Sequence, residues 1–464
     1  MHGVIITKGV SDWQIVQHKS GFANLTFQGT YSVPQAAIEV GVKEAYPIIR
    51  ILNEDDNYQI CPWSKVYYTQ SPTNYEGTWS ATLTVPAGGL YKIETGLKTI
   101  STKPDLQWIF RGDVRLHIGI GDIFVIAGQS NASGYGRDSA YDPPHTKVHL
   151  FRNRGTWDLA CHPINESTAA EDCINKEMGV SGTSPFITFG KEFYKISQYP
   201  VGLIPTALGG SPISRWDTQV NGDLYYNMIN KIKKCGNEIS GILWYQGCSD
   251  TTPLLSPKYY QSFLRLVENT RKDLFEVPFF TFQLNRQFNA EYNEDWGVIR
   301  EAQRQTAINI PKVYILPTLH CSLCDGIHNS SHANIMLGNN LAKLCGNVIY
   351  NKEEFFAPNI IKAEAKENII YISFSNLNNG FIQINNNINN STFLIEDSKG
   401  NIPLLSYSTF ESDNAKLQLK LGRNPIGTTT ISYGWSSDPS HIPFYDEKTF
   451  LPILSFYKFP VEIC

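Results

Sequence analysis

The chain contains no run of about eighteen apolar residues, so no segment is predicted to cross a membrane as a helix. It has no polybasic block, and a net charge of −4 argues against nucleic acid or an anionic membrane surface as the main partner. The start Met1-His2-Gly3-Val4 lacks the charged and apolar parts of a signal peptide. As written, the chain reads as cytoplasmic, and it would be secreted only if a leader had preceded it. Nine cysteines, an odd number spread over 464 residues, do not make a disulfide framework. Cys161 and Cys173 could bridge a loop in an oxidising compartment, although free thiols are an equal reading. Cys321-Ser322-Leu323-Cys324 has no second pair to complete a zinc site, and His328 with His332 lacks the Glu of His-Glu-x-x-His, so no metal is expected. Also missing is the Gly-x-Ser-x-Gly elbow of the α/β-hydrolases, since Asn131-Ala132 follows Ser130 where that motif needs a glycine.

The sequence that is present divides into three parts. Residues 1–118 alternate apolar and polar positions between Gly, Pro and Asn turns, as in Ala23–Phe27 and Trp79–Val85, and predict a β-sandwich-like domain. Residues 119–349 instead alternate short buried strands with amphipathic helices, which predicts an α/β domain with a parallel sheet. Its strand candidates are 122–127, 201–207, 241–245, 278–284 and 312–316. One helix opens at Ser256-Pro257 and carries Tyr260, Phe263, Leu264, Val267 and Leu274 on one face; another follows Ser331 with Leu337, Leu341 and Leu344 on one side. Residues 350–464 return to β, with 369–374 and 429–433 as strands and an Asn-rich patch at 375–390 read as surface turns. The many aromatics fit β-rich domains and sugar-stacking surfaces, and equally fit plain cores.

In an open parallel sheet, ligands bind in the crevice outside the carboxyl ends of the strands, so the residues that follow each strand carry the chemistry. The first strand stops at Gly128, which permits a sharp turn and leaves Ser130 in the loop beyond it. The second leads to Leu208-Gly209-Gly210-Ser211, the third to Gln246-Gly247-Cys248-Ser249-Asp250, and the fifth to Asp325-Gly326-Ile327-His328. A nucleophile, a glycine pair with free N–H groups, an amide and an Asp-x-x-His pair thus converge on one edge. His328 can take the Ser130 proton during attack, and Asp325 can orient the imidazole and favour the imidazolium that forms. The backbone N–H groups of Ser130 and Gly210 and the Gln246 amide are candidate oxyanion donors, each typically worth about 3 kcal/mol of barrier. Blander readings stand beside these. Ser130 could be a helix cap, Asp325 a turn cap, Cys248 a buried thiol, Trp216 core as readily as pocket wall, and Arg300, Glu301 and Gln303 a helix face.

Gly128-Gln129-Ser130-Asn131, Val201–Pro205 through Gly209-Gly210 to Trp216, Trp244–Gly247, Arg300–Gln303 and Asp325–His328, taken in order, resemble the sialate O-acetylesterase branch of the SGNH hydrolases. The resemblance implies a flavodoxin-like three-layer catalytic domain flanked by accessory β domains, and removal of O-acetyl groups from sugars without a cofactor. It implies Ser130 as nucleophile with Asp325 and His328, an oxyanion hole from Ser130, Gly210 and Gln246, and substrate contacts from Gln129 and Trp216. The expected partner is an O-acetylated glycan or small molecule; acetylated plant glycans are the alternative substrate, and a carbohydrate-binding protein with a dead site the alternative class. The chain departs from the family twice. Cys248 stands where a Glu is usual, and Asn329 follows His328 where a Pro is common.

Overall fold

One long strand, Ile109–Gly128, joins the N-terminal β region to the α/β region, and the computed structural model is organised around it. The structure describes residues 3–464 apart from 72–74, 102, 104–106, 172–173, 180, 378, 385–391, 411–412 and 440. The first half of the long strand pairs antiparallel with Gly88–Ser101. The second half pairs in parallel with Val201–Pro205 on one side and Gly241–Tyr245 on the other. Phe279–Phe282 and then Val313–Leu316 extend the parallel sheet beyond Gly241–Tyr245, and Val148–Phe151 adds a further parallel strand beyond Val201–Pro205. All five predicted strands of this region are present; the Val148–Phe151 strand is an addition to them. A domain boundary at 118–119 falls inside the long strand.

Side chains of the Ile109–Gly128 strand alternate between two cores. Ile123, Val125 and Ala127 join one cluster, with Leu224, Met228, Phe263, Val267, Trp296 and Ile299 from the helices Asp223–Lys234, Tyr259–Asp273 and Asn293–Asn309. Phe124 and Ile126 join the other, with Phe189, Phe193, Leu337, Leu341 and Leu344 from the helices Phe186–Ser197 and Ser331–Tyr350. Helices therefore cover both faces, and the strands are buried on both sides, as continuous apolar runs such as Ile123–Ala127 require. Ser256–Lys258 forms a single 3-10 turn before the helix proper, which buries Tyr259, Phe263, Leu266 and Val267; Tyr260 and Leu264 are only partly covered. The helix after Ser331 buries all three predicted leucines, and the Ser330 hydroxyl caps it by accepting from the Ala333 N–H at 3.1 Å.

The N-terminal region also contains a four-stranded sheet in which Phe22–Ser32 pairs antiparallel with Glu76–Pro86. The C-terminal region forms an eight-stranded sheet with its own apolar cluster, including Ile370, Ile372, Leu417, Leu419, Ile431 and Tyr433. Residues 385–390 of the Asn-rich patch and Cys173 lie outside the described residues. Cys161 is a free thiol that accepts from the Arg152 guanidinium at 2.9 Å. Among the described residues no helix is long and apolar enough to cross a membrane, and no group of His, Cys, Asp and Glu side chains is arranged to hold a metal ion.

Candidate active site

The long strand ends because Gly128 adopts φ +128°, and a Cβ there would lie 2.2 Å from the Tyr245 carbonyl oxygen of the neighbouring strand. Two residues later Ser130 opens a single helical turn, Ser130–Ser133. Its Oγ lies 2.9 Å from His328 Nε2, and His328 Nδ1 lies 2.7 Å from Asp325 Oδ2. The other Asp325 oxygen accepts from the backbone N–H groups of Ile327 at 2.9 Å and His328 at 2.7 Å. Burial by itself would raise the Asp325 carboxyl, but the hydrogen bonds from His328 and these two N–H groups outweigh it and hold the group below its ordinary 3.8. An ionised Asp325 is therefore aimed at the imidazole nitrogen farther from Ser130. His332 does not share the site: its ring is mostly exposed and lies 3.5 Å from Asp138.

The loop carrying His328 is held to the sheet by the next residue. Asn329 is fully buried; its N–H donates to Asn131 Oδ1, its Nδ2 donates to the Tyr245 hydroxyl, and its Oδ1 accepts from Asn285 Nδ2, each at 3.0 Å. A proline at 329 could make none of these bonds, so the departure from the His-Pro pattern has a structural use here.

Three predicted donors fare differently. Ser130 occupies the first position of its turn, where an N–H has no intrahelical acceptor. Gly210 is exposed at φ +68°, with open space where a Cβ would stand, and its N–H makes no hydrogen bond among the described residues. Gln246 must be corrected: it is fully buried, and its Nε2 donates to the Ser211 carbonyl at 3.2 Å and to Asp250 Oδ2, so both amide hydrogens are taken. Asp250 is buried too; burial pushes its carboxyl up to about 6 against the pull of bonds from Gln246 and the Ile213 N–H.

Both residues expected to touch substrate are also used inside the protein. The Gln129 side-chain carbonyl accepts from the N–H groups of Gly247 at 3.1 Å and Ser249 at 3.2 Å, fixing the loop after Gly241–Tyr245. Trp216 is fully buried edge-on to Trp244, with ring centroids 5.2 Å apart, and so belongs to the core and not to a pocket wall. Cys248 is half-buried with its Sγ 3.7 Å from Asn285 Oδ1; burial pushes the thiol up to about 12, so it is not a thiolate nucleophile. Arg300 and Gln303 are buried and hydrogen-bonded, not an exposed helix face: Arg300 donates to the carbonyls of Leu284, Asn285, Gly434 and Ser436, and Gln303 Nε2 donates to the Gln246 carbonyl.

Two residues near the site have no motif to announce them. The Tyr135 ring stacks on the His328 ring with centroids 4.8 Å apart and planes at 29°. Its hydroxyl donates to Glu177 Oε1 at 2.6 Å.

Residues 120–347 match the family described as carbohydrate esterase, sialic acid-specific acetylesterase. A protein of Arabidopsis thaliana named as a probable carbohydrate esterase is 28% identical over 237 residues, covering 48% of this chain and 88% of that protein. Human sialate O-acetylesterase is 25% identical over 138 residues, 23% of this chain and 26% of that protein, so the chain spans only about a quarter of that relative's length. In fold, a carbohydrate acetylesterase from Xanthomonas citri covers 96% of this chain and 97% of its own with a TM-score of 0.63 at 18% identity. The chain thus shares its fold with that carbohydrate acetylesterase, and its residues 120–347 resemble the sialic acid-specific acetylesterase family of carbohydrate esterases.

Proposed function

We propose that this chain is a serine O-acetylesterase that releases acetate from O-acetylated sugars, with O-acetylated sialic acids as the preferred substrates. The observation that carries the reading is the hydrogen-bonded series Ser130–His328–Asp325, with distances of 2.9 and 2.7 Å. Ser130 Oγ attacks the acetyl carbonyl while His328 Nε2 takes its proton, and Asp325 favours the imidazolium that forms. The oxyanion is met by the N–H groups of Ser130 and Gly210. His328 then gives the proton to the departing sugar oxygen, leaving acetyl-Ser130. Water, deprotonated by the same imidazole, attacks that ester and releases acetate, which restores Ser130. No step calls for a cofactor. Sialic acid is preferred to acetylated xylan because the match of residues 120–347 points that way.

The same reading takes residues 119–349 as a flavodoxin-like three-layer catalytic domain, with residues 1–118 and 350–464 as sandwich-like β units on either side. The test is acetate release from O-acetylated sialic acid and from acetylated xylan, alongside 4-nitrophenyl acetate, by wild type and Ser130→Ala. Wild type should turn over the first substrate and the chromogenic ester, and Ser130→Ala neither. A fully active Ser130→Ala protein would assign the chemistry to another nucleophile, and release from xylan alone would move the substrate.

A further inference from the structure

Glu177 lies between the strand Trp157–Leu159 and the helix Phe186–Ser197, in a segment that no motif marks. Three donors converge on its carboxylate. Oε1 accepts from the Tyr135 hydroxyl at 2.6 Å, and Oε2 accepts from the Gly209 N–H at 3.1 Å and from Asn165 Nδ2 at 3.2 Å. Asn165 is itself fixed, because its Nδ2 also donates to the Ala207 carbonyl at 3.0 Å and its Oδ1 accepts from Asn153 Nδ2 at 2.8 Å. The fit around the glycine is close: a Cβ on Gly209 would come within 2.6 Å of Glu177 Oε1 and 2.8 Å of the Tyr135 hydroxyl.

These partners serve two different parts of the proposed reaction centre. Tyr135 covers one face of the His328 ring, and Gly209 immediately precedes Gly210, the backbone donor at the proposed oxyanion position. We propose that Glu177 is a positioning residue that joins the wall behind the general base to the turn that presents the oxyanion donor, so that the two keep one fixed separation. This rests on the catalytic reading above and deepens it. Burial, with the Glu177 carboxylate next, keeps the Tyr135 hydroxyl protonated well above its ordinary range, as a donor must be. An anionic acceptor suits the geometry because all three neighbours donate, and charge-assisted bonds of this kind are roughly twice as strong as neutral ones.

The chemistry of the carboxylate orders the variants. Glu177→Gln can turn its carbonyl to Gly209 and Asn165 while its NH2 meets a Tyr135 hydroxyl rotated to accept, so it keeps most of the link. Glu177→Ala keeps none of it. Tyr135→Phe removes only the bond to the base wall and leaves the stacking ring. Because a displacement of about 1 Å can cost on the order of a hundredfold in rate, we expect kcat on 4-nitrophenyl acetate to fall about 10- to 100-fold in Glu177→Ala and about tenfold in Tyr135→Phe, with KM within about threefold of wild type. Glu177→Gln should recover to within about threefold of wild type.

A second readout does not depend on ester turnover: the rate at which diethyl 4-nitrophenyl phosphate modifies Ser130, followed by intact mass. It should slow in the same order. Wild-type kcat and labelling rates in both Glu177→Ala and Tyr135→Phe would overturn the proposal, as would a rise in KM alone, which would make Glu177 a substrate contact. Tyr135→Phe decides the matter should Glu177→Ala fail to fold. If wild type hydrolyses no ester while labelling still slows in the variants, the functional reading fails and the positioning role stands.

Discussion

Replacing Asn329 tests whether the His328 loop is held by the residue after it. Truncation to Ala removes the bond from Nδ2 to the Tyr245 hydroxyl and the bond from Asn285 Nδ2 to Oδ1, both 3.0 Å long and buried. Asn285 Nδ2 keeps its bond to the Ile327 carbonyl at 2.7 Å and is not orphaned, so the loss is that of two ordinary buried bonds, about 2 kcal/mol in all. Asn329→Pro also removes the N–H that donates to Asn131 Oδ1, an amide whose Nδ2 is already buried without a partner among the described residues. Leaving that oxygen unsatisfied adds about 1–3 kcal/mol. The order of damage should therefore be Pro, then Ala, then wild type. A chain with several cores does not unfold in one step, so the loss of esterase activity with urea is the suitable local probe. Its midpoint should fall in that order. Activity without denaturant should fall as well, because His328 directly precedes the altered residue. An Asn329→Pro protein with the midpoint and kcat of wild type would show that the loop is held by something else.

Two further predictions follow from the buried groups around the site. The Asp250 carboxyl is raised by burial from 3.8 to about 6, so the folded protein binds this proton more tightly than the unfolded chain; its favourable share of stability is full below about pH 4 and is lost as pH rises through about 6. At about 1.4 kcal/mol per pH unit that is on the order of 3 kcal/mol, and Asp250→Asn should flatten the pH dependence, between pH 4 and 7, of the urea midpoint for loss of esterase activity and raise that midpoint relative to wild type at pH 7; an unchanged slope would count against the assignment. Cys248→Glu should fold and alter kcat, since position 248 is half-buried and close enough to Arg300 for a carboxylate there to interact with the guanidinium, and no carboxylate ion-pairs with Arg300 among the described residues. An insoluble or markedly less stable Cys248→Glu protein would show that overpacking, typically about 1–3 kcal/mol, outweighs the added counter-charge.

Much of the α/β region was legible because apolar runs this short, bounded by turn formers, fit strands buried on both faces better than helices. Where the pattern misled, glycine was the reason. Gly119 and Gly121 look like a turn ahead of residues 122–127, yet both lie inside one continuous strand, where Cβ atoms would come within 2.9 Å of Pro200 Cβ and 1.8 Å of the Pro200 carbonyl oxygen respectively. They serve close approach between chain segments, a use that local pattern does not distinguish from turning. Ser130, Asp325 and His328 could be named together because each directly follows a strand end or sits three residues from a partner. Gln246 also follows a strand end directly and Trp216 lies in the loop after one, but sequence does not reveal whether an amide's hydrogens are already taken or which way an indole faces. Tyr135 and Glu177 are brought to the site by loops with no periodicity, and only their side-chain bonds identify them.

The connections behind His328 link the C-terminal β region to the loop that carries it. Arg300, fully buried, donates to the carbonyls of Leu284 at 2.9 Å and Asn285 at 2.5 Å within the α/β region, and to those of Gly434 at 2.8 Å and Ser436 at 2.6 Å beyond residue 350. Burial lowers the guanidinium to about 9, which still leaves it charged at neutral pH, and four carbonyl oxygens are what compensate that charge. Gln283 makes a second tie, donating to the Ser455 carbonyl and accepting from the Ser455 N–H, each at 2.8 Å. Between these ties sits Asn285, whose side chain holds the Ile327 carbonyl and Asn329 on either side of His328. A change at Gly434 would therefore reach the loop bearing the imidazole through two hydrogen-bonded residues, Arg300 and Asn285. Coupling of this kind needs no motion. It requires only that the Asn285 side chain is among the groups that hold the loop bearing His328, and its bonds to the Ile327 carbonyl and to Asn329 meet that condition.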